Sequence, residues 1–414
     1  RVAVISENFE ALTYMDLIKL SKKISSQIKK RSLVFLFSEN CVESLAGYIG
    51  FIRSNCTIML INPQIKVDEF KVLFKNYNPD FLWCDKKTLL SFSKNIFSSM
   101  VSVGNFQLLK NKKKIHFPIN ENLMLLLSTS GSLGDPKCVK LSYKNIASNT
   151  QAIIDYLLIE NNDRTITTLP MNYSYGLSII NTHLVAGASI ILNKATLVDK
   201  IFWKLFHNYE ANNFNGVPFT FEILKKIGFS KIFKKKLKYI TQAGGKMNNN
   251  NVLEITKKCI KENTKFFVMY GQTEASPRMS YLEMNKFLNK IGSIGKPIIG
   301  GKFWIENESG NEITKNGQTG ELVYNGNNVF MGYSNNCNDL KKTKNNKTLK
   351  TGDLVKKDKE DFYFIVGRKK RFIKLYGDRI NLDYLEDKLK SNNYYTACVG
   401  YDNKLVIFLK NKNS

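Results

Sequence analysis

Leu125-Leu-Leu-Ser-Thr-Ser-Gly-Ser-Leu-Gly-Asp-Pro-Lys137 begins as an apolar strand pattern, breaks into hydroxyls and glycines, and closes on one lysine. Glycines expose backbone N–H groups that can cradle an anion, and Thr129, Ser130, Ser132 and the Lys137 ammonium add further donors around Gly131 and Gly134. Only Asp135 brings a competing negative charge. A Walker A loop requires G-x-x-x-x-G-K-[ST]; here the two glycines lie closer together and a proline precedes the lysine. Taken alone, the run reads either as a phosphate loop or as a polar connector.

On both sides of this stretch, helical and strand periodicities alternate. The spacing predicts a helix after Leu12-Thr-Tyr14 with apolar Leu17, Ile18, Leu20, Ile24 and Ile28, then a buried strand over 33–37 and a second helix over 42–52. A strand over 57–61, a helix over 67–74 and a strand over 81–84 follow. Beyond the loop the rhythm resumes, with helices near 145–158 and 199–206 and strands near 165–169, 188–192, 239–242 and 266–270. Alternation of this kind implies parallel sheets wrapped by helices. From Gly292 the texture changes to short segments separated by Gly/Asn turns, at 302–305, 320–325 and 362–367, which reads as a small antiparallel β unit.

The chain has 414 residues, 43% of them hydrophobic, enough for more than one core. The longest apolar stretch, 176–192, contains Ser178, Asn181, Thr182 and His183, so no transmembrane segment is expected. Seven scattered cysteines without C-x-x-C spacing argue against a disulfide framework and for a reducing, cytoplasmic setting. No signal-peptide pattern is found, although the first residue is Arg1 rather than Met. The three histidines, His116, His183 and His207, are not spaced as metal ligands. A net charge of +27 is spread along the chain without any nucleic-acid reader motif, so the expectation is no nucleic acid and electrostatic attraction of acidic partners.

Four further constellations bear on chemistry. Ala243-Gly244-Gly245 follows a predicted strand and would let a flat ring approach bare backbone. Tyr270-Gly271-Gln272-Thr273-Glu274 places an aromatic, a bare backbone, a hydroxyl and a carboxylate at the carboxyl end of a predicted parallel strand, the edge where open α/β sheets bind ligands. Glu274 is the only carboxylate of this cluster, and Mg²⁺ typically needs just one or two. Thr351-Gly-Asp353 reads either as a plain Asp turn or as a pair of acceptors for ribose hydroxyls. Gly367-Arg368-Lys-Lys-Arg-Phe-Ile-Lys374-Leu-Tyr-Gly377-Asp-Arg-Ile380 is a cationic strand-turn-strand pattern.

In this order and spacing the five motifs resemble the adenylate-forming superfamily of acyl- and aryl-CoA synthetases, luciferases and peptide-synthetase adenylation domains, and the resemblance runs from Leu12 to about Ile380. It implies a large N-terminal domain over 1–368, built of doubly wound α/β subdomains with a small β-barrel-like unit. A small, partial α+β domain would occupy 369–414, with a hinge near Lys370. It also implies ATP-dependent activation of a carboxylic acid to an acyl-adenylate, and then transfer to a thiol of CoA or of an acidic acyl carrier protein bearing phosphopantetheine. The loop from Thr129 to Lys137 would hold the β- and γ-phosphates, Thr273 the α-phosphate and Glu274 the Mg²⁺. Gly244, Gly245 and Tyr270, with Gly271 and Gln272 beside them, would frame the adenine, and Asp353 and Arg368 the ribose. Lys374 and Gly377 would line the thiol tunnel.

Two departures shape the expected substrate and activity. The tail 403–414 carries lysines but no Gly-Lys motif of the kind that usually bridges carboxylate and α-phosphate, so weak acid-dependent pyrophosphate exchange is expected of this chain. A non-catalytic homologue that binds nucleotide or a carrier protein is the alternative. Where amino-acid-activating members place an aspartate, this chain has Tyr173-Ser-Tyr-Gly176-Leu-Ser178, with Gly176 aligned to it. A buried ammonium without a counter-charge costs several kcal/mol, so a non-amino carboxylic acid, small or hydroxylated, is expected, with Asn172, Tyr173, Tyr175 and Gly176 near its pocket.

Overall fold

Two runs that are apolar at nearly every position, Leu33–Phe37 and Thr57–Ile61, are buried along their whole length in the computed structural model. A strand buried on both faces needs helices on both. Val34, Leu36, Ile58 and Leu60 pack on one face with Leu17 and Ile24 of the helix Tyr14–Ser25 and with Leu45 and Phe51 of the helix Val42–Arg53. Leu33, Phe35, Phe37, Met59 and Ile61 pack on the other with Phe70, Leu73 and Tyr77 of the helix Val67–Tyr77. The first of these helices starts where expected because Thr13 and Asp16 form a reciprocal capping box. The structure describes residues 1–90, 96–115, 117–128, 137–343, 347–375, 378–391, 394, 396–401 and 404–409.

These strands belong to an eight-stranded sheet whose centre is parallel, in the order Leu123–Ser128, Thr57–Ile61, Leu33–Phe37, Phe81–Asp85. Antiparallel strands close both sides: Cys138–Ser142 and then Tyr333–Ser334 beside Leu123–Ser128, and the hairpin Phe97–Val103/Phe106–Asn111 beside Phe81–Asp85. A second sheet of nine strands begins parallel with Asn213–Gly216, Tyr239–Gln242 and Lys265–Gly271. It turns antiparallel at Arg278–Glu283 and runs on through Ser293–Pro297, Tyr363–Arg368, Thr348–Lys357, Gly320–Gly326 and Gly301–Glu306. The antiparallel unit is thus hydrogen-bonded to the second α/β layer, with its own core of Ile305, Leu322, Tyr324 and Val355.

The strand expected over 165–169 ends early, as Arg164–Ile166. Thr167 turns its hydroxyl onto the Asn193 carbonyl, and Pro170 then leads into the helix Ser174–Val185, which with the strand Ser189–Ile191 makes up the long apolar stretch. Among the described residues no helix is long and apolar enough to cross a membrane. All seven cysteines are free, and five of them, Cys56, Cys84, Cys138, Cys259 and Cys398, are buried. Past Arg368 the chain forms the hairpin Phe372–Leu375/Asp378–Asn381, the helix Leu382–Ser391 and the hairpin Thr396–Tyr401/Lys404–Leu409.

Candidate active site

The chain reverses sharply where the parallel part of the second sheet ends. Gly271, the last residue of its strand, pairs directly with Arg278, and a Cβ on Gly271 would lie 1.8 Å from the Pro277 carbonyl oxygen. Only glycine permits that approach. The intervening turn carries Thr273 and Glu274 into a cleft of 1180 Å³ at the carboxyl ends of the strands Tyr239–Gln242 and Lys265–Gly271. Asn172, Tyr173, Tyr175, Gly244, Gly245, Tyr270, Gly271, Gln272, Asp353 and Arg368 line the same cleft, so residues from five separated stretches meet there.

One network fixes the end nearest the antiparallel strands. Asp353 is 2% exposed; its Oδ1 accepts from Arg368 Nε at 3.0 Å, and its Oδ2 accepts from Gln272 Nε2 at 3.0 Å and from the Tyr270 hydroxyl at 2.5 Å. Gln272 also donates to the Thr351 carbonyl. Burial, reinforced by the Asp353 charge, holds the Tyr270 phenol well above its ordinary range, so the ring stays neutral. Thr351-Gly-Asp353 lies within the irregular strand Thr348–Lys357 instead of forming a plain Asp turn: Gly352 has φ +74°, and Thr351 Oγ1 donates to the Leu322 carbonyl across the strand pair.

Thr273 Oγ1 lies 3.1 Å from Ser174 Oγ at the start of the helix Ser174–Val185. Glu274 Oε1 accepts from the Tyr333 hydroxyl at 2.9 Å, and the Lys137 ammonium sits 3.7 Å from the centre of the Tyr333 ring. Tyr333 is therefore a bridge between the candidate metal carboxylate and the candidate phosphate lysine. Sequence reading missed it, because it belongs to an edge strand some sixty residues from Glu274.

Gly244 and Gly245 line the cleft, yet the space left by their missing Cβ atoms faces the protein itself. A Cβ on Gly244, whose φ is +80°, would lie 2.4 Å from the Tyr173 hydroxyl, and one on Gly245 would lie 3.2 Å from Pro218. Gly176 is the one clear misplacement. It is not among the residues lining the cleft, and its Cβ would meet the Pro170 carbonyl oxygen at 2.3 Å, so it is a packing glycine at the foot of its helix. Thr129, Ser130, Gly131, Ser132, Gly134 and Gly377 lie outside the described residues, as does the side chain of Lys374. Their flanks are in place: Leu123–Ser128 and Cys138–Ser142 pair antiparallel, and Ser128 opens onto the cleft.

A family model for AMP-binding enzymes matches residues 1–334. The chain belongs to that family. Asp353 and Arg368 lie beyond the matched stretch and complete the cleft. The chain is similar to a 2-succinylbenzoate–CoA ligase of Bacillus subtilis, with 23% identity over 402 residues covering 95% of this chain and 80% of that protein. It is 25% identical over 408 residues to gramicidin S synthase 2 of Brevibacillus brevis, covering 94% of this chain and 9% of that much longer protein. Its fold is that of the B. subtilis o-succinylbenzoate CoA synthetase (MenE) solved with the acyl-adenylate OSB-AMP, at a TM-score of 0.79 and 20% identity, covering 100% of this chain and 87% of that one. ATP-bound MatB from Rhodopseudomonas palustris superposes at 0.78 with 18% identity, covering 100% of this chain and 86% of that one.

Proposed function

We propose that this protein is an AMP-forming acid–thiol ligase acting on a non-amino carboxylic acid. In the first half-reaction a carboxylate oxygen bonds to the α-phosphorus of ATP, the bond from that phosphorus to the bridging oxygen breaks, and pyrophosphate leaves. In the second, a thiol attacks the acyl carbonyl, loses its proton, and AMP departs. Both are mainly problems of positioning and of charge neutralisation. The observation that carries the reading is the convergence of Tyr270, Thr273, Glu274, Asp353 and Arg368 on one cleft.

In this reading Asp353 and Arg368 hold the ribose, Tyr270 and the Gly244–Gly245 backbone border the adenine, and Thr273, steadied by Ser174, donates to the α-phosphate. Glu274 and its partner Tyr333 suit a Mg²⁺ site; when bound, the ion spreads the charge of the phosphate oxygens. Lys137 and the loop before it take the terminal phosphates. The ligases named above make CoA the first choice of acceptor, and the +27 charge would attract an acidic carrier protein as well. Seven free cysteines fit a cytoplasmic setting.

The assignment of 1–368 and 369–414 as two domains hinged at Lys370 has a physical basis in its neighbours. The side chains of Arg368 and Lys369 are tied backwards, to Asp353 at 3.0 Å and Glu321 at 2.9 Å, whereas that of Arg371 is tied forwards, to Asp383 at 2.8 Å and Glu386 at 2.6 Å; the Arg368 N–H also donates to Asp383 at 3.3 Å. Lys370 lies between the two sets of anchors, where a backbone rotation is least opposed.

The test follows both half-reactions in the full-length protein, as ATP–pyrophosphate exchange over a panel of acids and as thioester formation on CoA or a holo carrier protein. Acid-dependent, Mg²⁺-dependent exchange is expected, and Lys370→Pro should keep exchange while losing thioester formation. ATP binding without exchange for any acid would instead support a nucleotide-binding module.

A further inference from the structure

Arg278 is 3% exposed and opens the strand that returns from the Thr273–Glu274 turn. Its backbone is fixed on both sides: the carbonyl accepts from Asn149 Nδ2 at 2.8 Å and Asn328 Nδ2 at 2.9 Å, and the N–H donates to Asn149 Oδ1. The guanidinium lies 3.9 Å above the centre of the Tyr175 ring. That ring is itself pinned, because the Tyr175 hydroxyl lies 2.7 Å from Thr241 Oγ1. A planar cation thus rests on a rigid aromatic shelf in the wall of the cleft.

This cation lacks a counter-charge. Its Nε is buried without a hydrogen-bond partner, and no carboxylate among the described residues lies within 4.0 Å of it. Arg31 and Arg164 also have an orphan Nε, but their terminal nitrogens donate to backbone carbonyls: Arg31 to those of Asn55, Asn120 and Leu123, and Arg164 to that of Tyr209. Lys140, 2% exposed, is likewise satisfied by backbone carbonyls, those of Asp339 and Lys342, whereas the buried Lys290 and the partly buried Lys114 have acids, Asp358 at 2.8 Å and Asp80 at 2.9 Å. Around Arg278 there are tyrosines instead. Its charge acts on Tyr156, Tyr173 and Tyr175, and Tyr239, whose hydroxyl is equally unpartnered, shares the cluster.

We infer that Arg278 is the counter-ion for a second carboxylate on the acid, so that the substrate class is dicarboxylic. The inference rests on the acid-activating reading above and narrows it. The reacting carboxylate belongs at Thr273, beside Ser174; successive helical residues point about 100° apart, so the cation over Tyr175 stands clear of that point and meets the substrate's far end. The same charge repels an α-ammonium. Rejection of amino acids therefore has a positive cause in this cleft, independent of Gly176.

Matched pairs of acids test the inference: 2-succinylbenzoate against 2-butyrylbenzoate, glutarate against butyrate, and phthalate against benzoate. Binding is measured by calorimetry with a non-hydrolysable ATP analogue present, and exchange is measured in parallel. At least one diacid should bind about 100-fold more tightly than its singly charged partner, the worth of a charge-assisted hydrogen-bonded pair. Arg278→Met should erase that gap by weakening the diacid, with ATP-analogue binding and melting temperature as controls for folding, and Arg278→Lys should restore part of it. Equal binding within every pair, no diacid binding at all, or a gap that survives in Arg278→Met overturns the inference. The pairwise comparison in the unmodified protein decides the matter even if the variants do not fold. Monoacids that support exchange as well as diacids sink the inference while leaving the ligase reading intact. Diacid binding without exchange for any acid does the reverse.

Discussion

At one end of the cleft Asp353 has both carboxylate oxygens engaged, by Arg368 on one side and by Tyr270 and Gln272 on the other; at the other end Arg278, just as buried, faces no carboxylate among the described residues. Both are ionised groups removed from water, and both need a partner. The first finds it within the chain, so a ribose arriving there must exchange hydrogen bonds for ones already made. The second finds only ring faces and a phenol, so a ligand anion would add an interaction without displacing one. Ligands that exchange partners bind with modest net gain and good geometry; ligands that supply a missing charge are selected strongly for that charge.

The contrast can be broken at the Asp353 end first. In the proposed reading, Asp353→Ala removes two charge-assisted contacts to a bound ribose and strands the Tyr270 hydroxyl; at roughly 2 kcal/mol each, the expected loss is about 10³-fold in kcat/KM for ATP. The KM for the acid should stay within a few-fold. A large change in acid preference would show that the two ends are not independent.

A second comparison lies along one helix. The Arg278 guanidinium lies above Tyr175, whereas His183, two turns further on, is buried neutral: its Nδ1–H donates to the Ile179 carbonyl at 2.8 Å, and burial pushes its pKa down to about 4. The sign follows from the unfolded value of 6.5. Above that value both states are neutral and the stability contribution is complete. As pH falls below it the unfolded chain takes up a proton that the folded chain refuses, so stability is lost down to about pH 4. Between pH 7 and 5 this should amount to about 2 kcal/mol. Urea titrations of the wild type and His183→Gln should diverge by that amount over this range; parallel curves would refute a neutral buried His183.

The smallest expected effect concerns Tyr333. Tyr333→Phe keeps the ring under Lys137 and deletes the hydrogen bond to Glu274, so the Mg²⁺ concentration for half-maximal exchange should shift by about 3- to 10-fold, with ATP affinity little changed. An unaltered Mg²⁺ dependence would remove Tyr333 from the proposed metal site.

Much of this was legible in the chain because the relevant signals are local. Leu33–Phe37 and Thr57–Ile61 announce strands covered on both faces, and Tyr270 to Glu274 announces a ligand edge, without any knowledge of their neighbours. Asp353 was recognisable as a residue, though its setting stayed open between a plain turn and a ligand site, since a bulged strand and a turn share the Thr-Gly-Asp signature. Gly176 was misplaced because a motif fixes position along a helix and leaves open which side of the helix is packed. Arg278 gave no signal: one arginine among 62 basic residues becomes unusual only when its described surroundings prove to hold no paired acid. The hairpin Phe97–Val103/Phe106–Asn111 was passed over because its outer strand carries three serines and lacks clean alternation; Gly104-Asn105 between the strands was the available cue.

The free cysteines acquire significance from the chemistry beside them. An acyl-adenylate acylates thiolates, and a protein that forms one exposes its own thiols to self-modification. Burial raises the pKa of Cys41 and Cys138 to about 11 and that of Cys56, Cys84 and Cys259 to about 12, and it raises Cys398 as well. A thiol held protonated is a poor nucleophile. Six of the seven are thereby silenced at neutral pH, so the activated acyl group survives for a thiol delivered from outside.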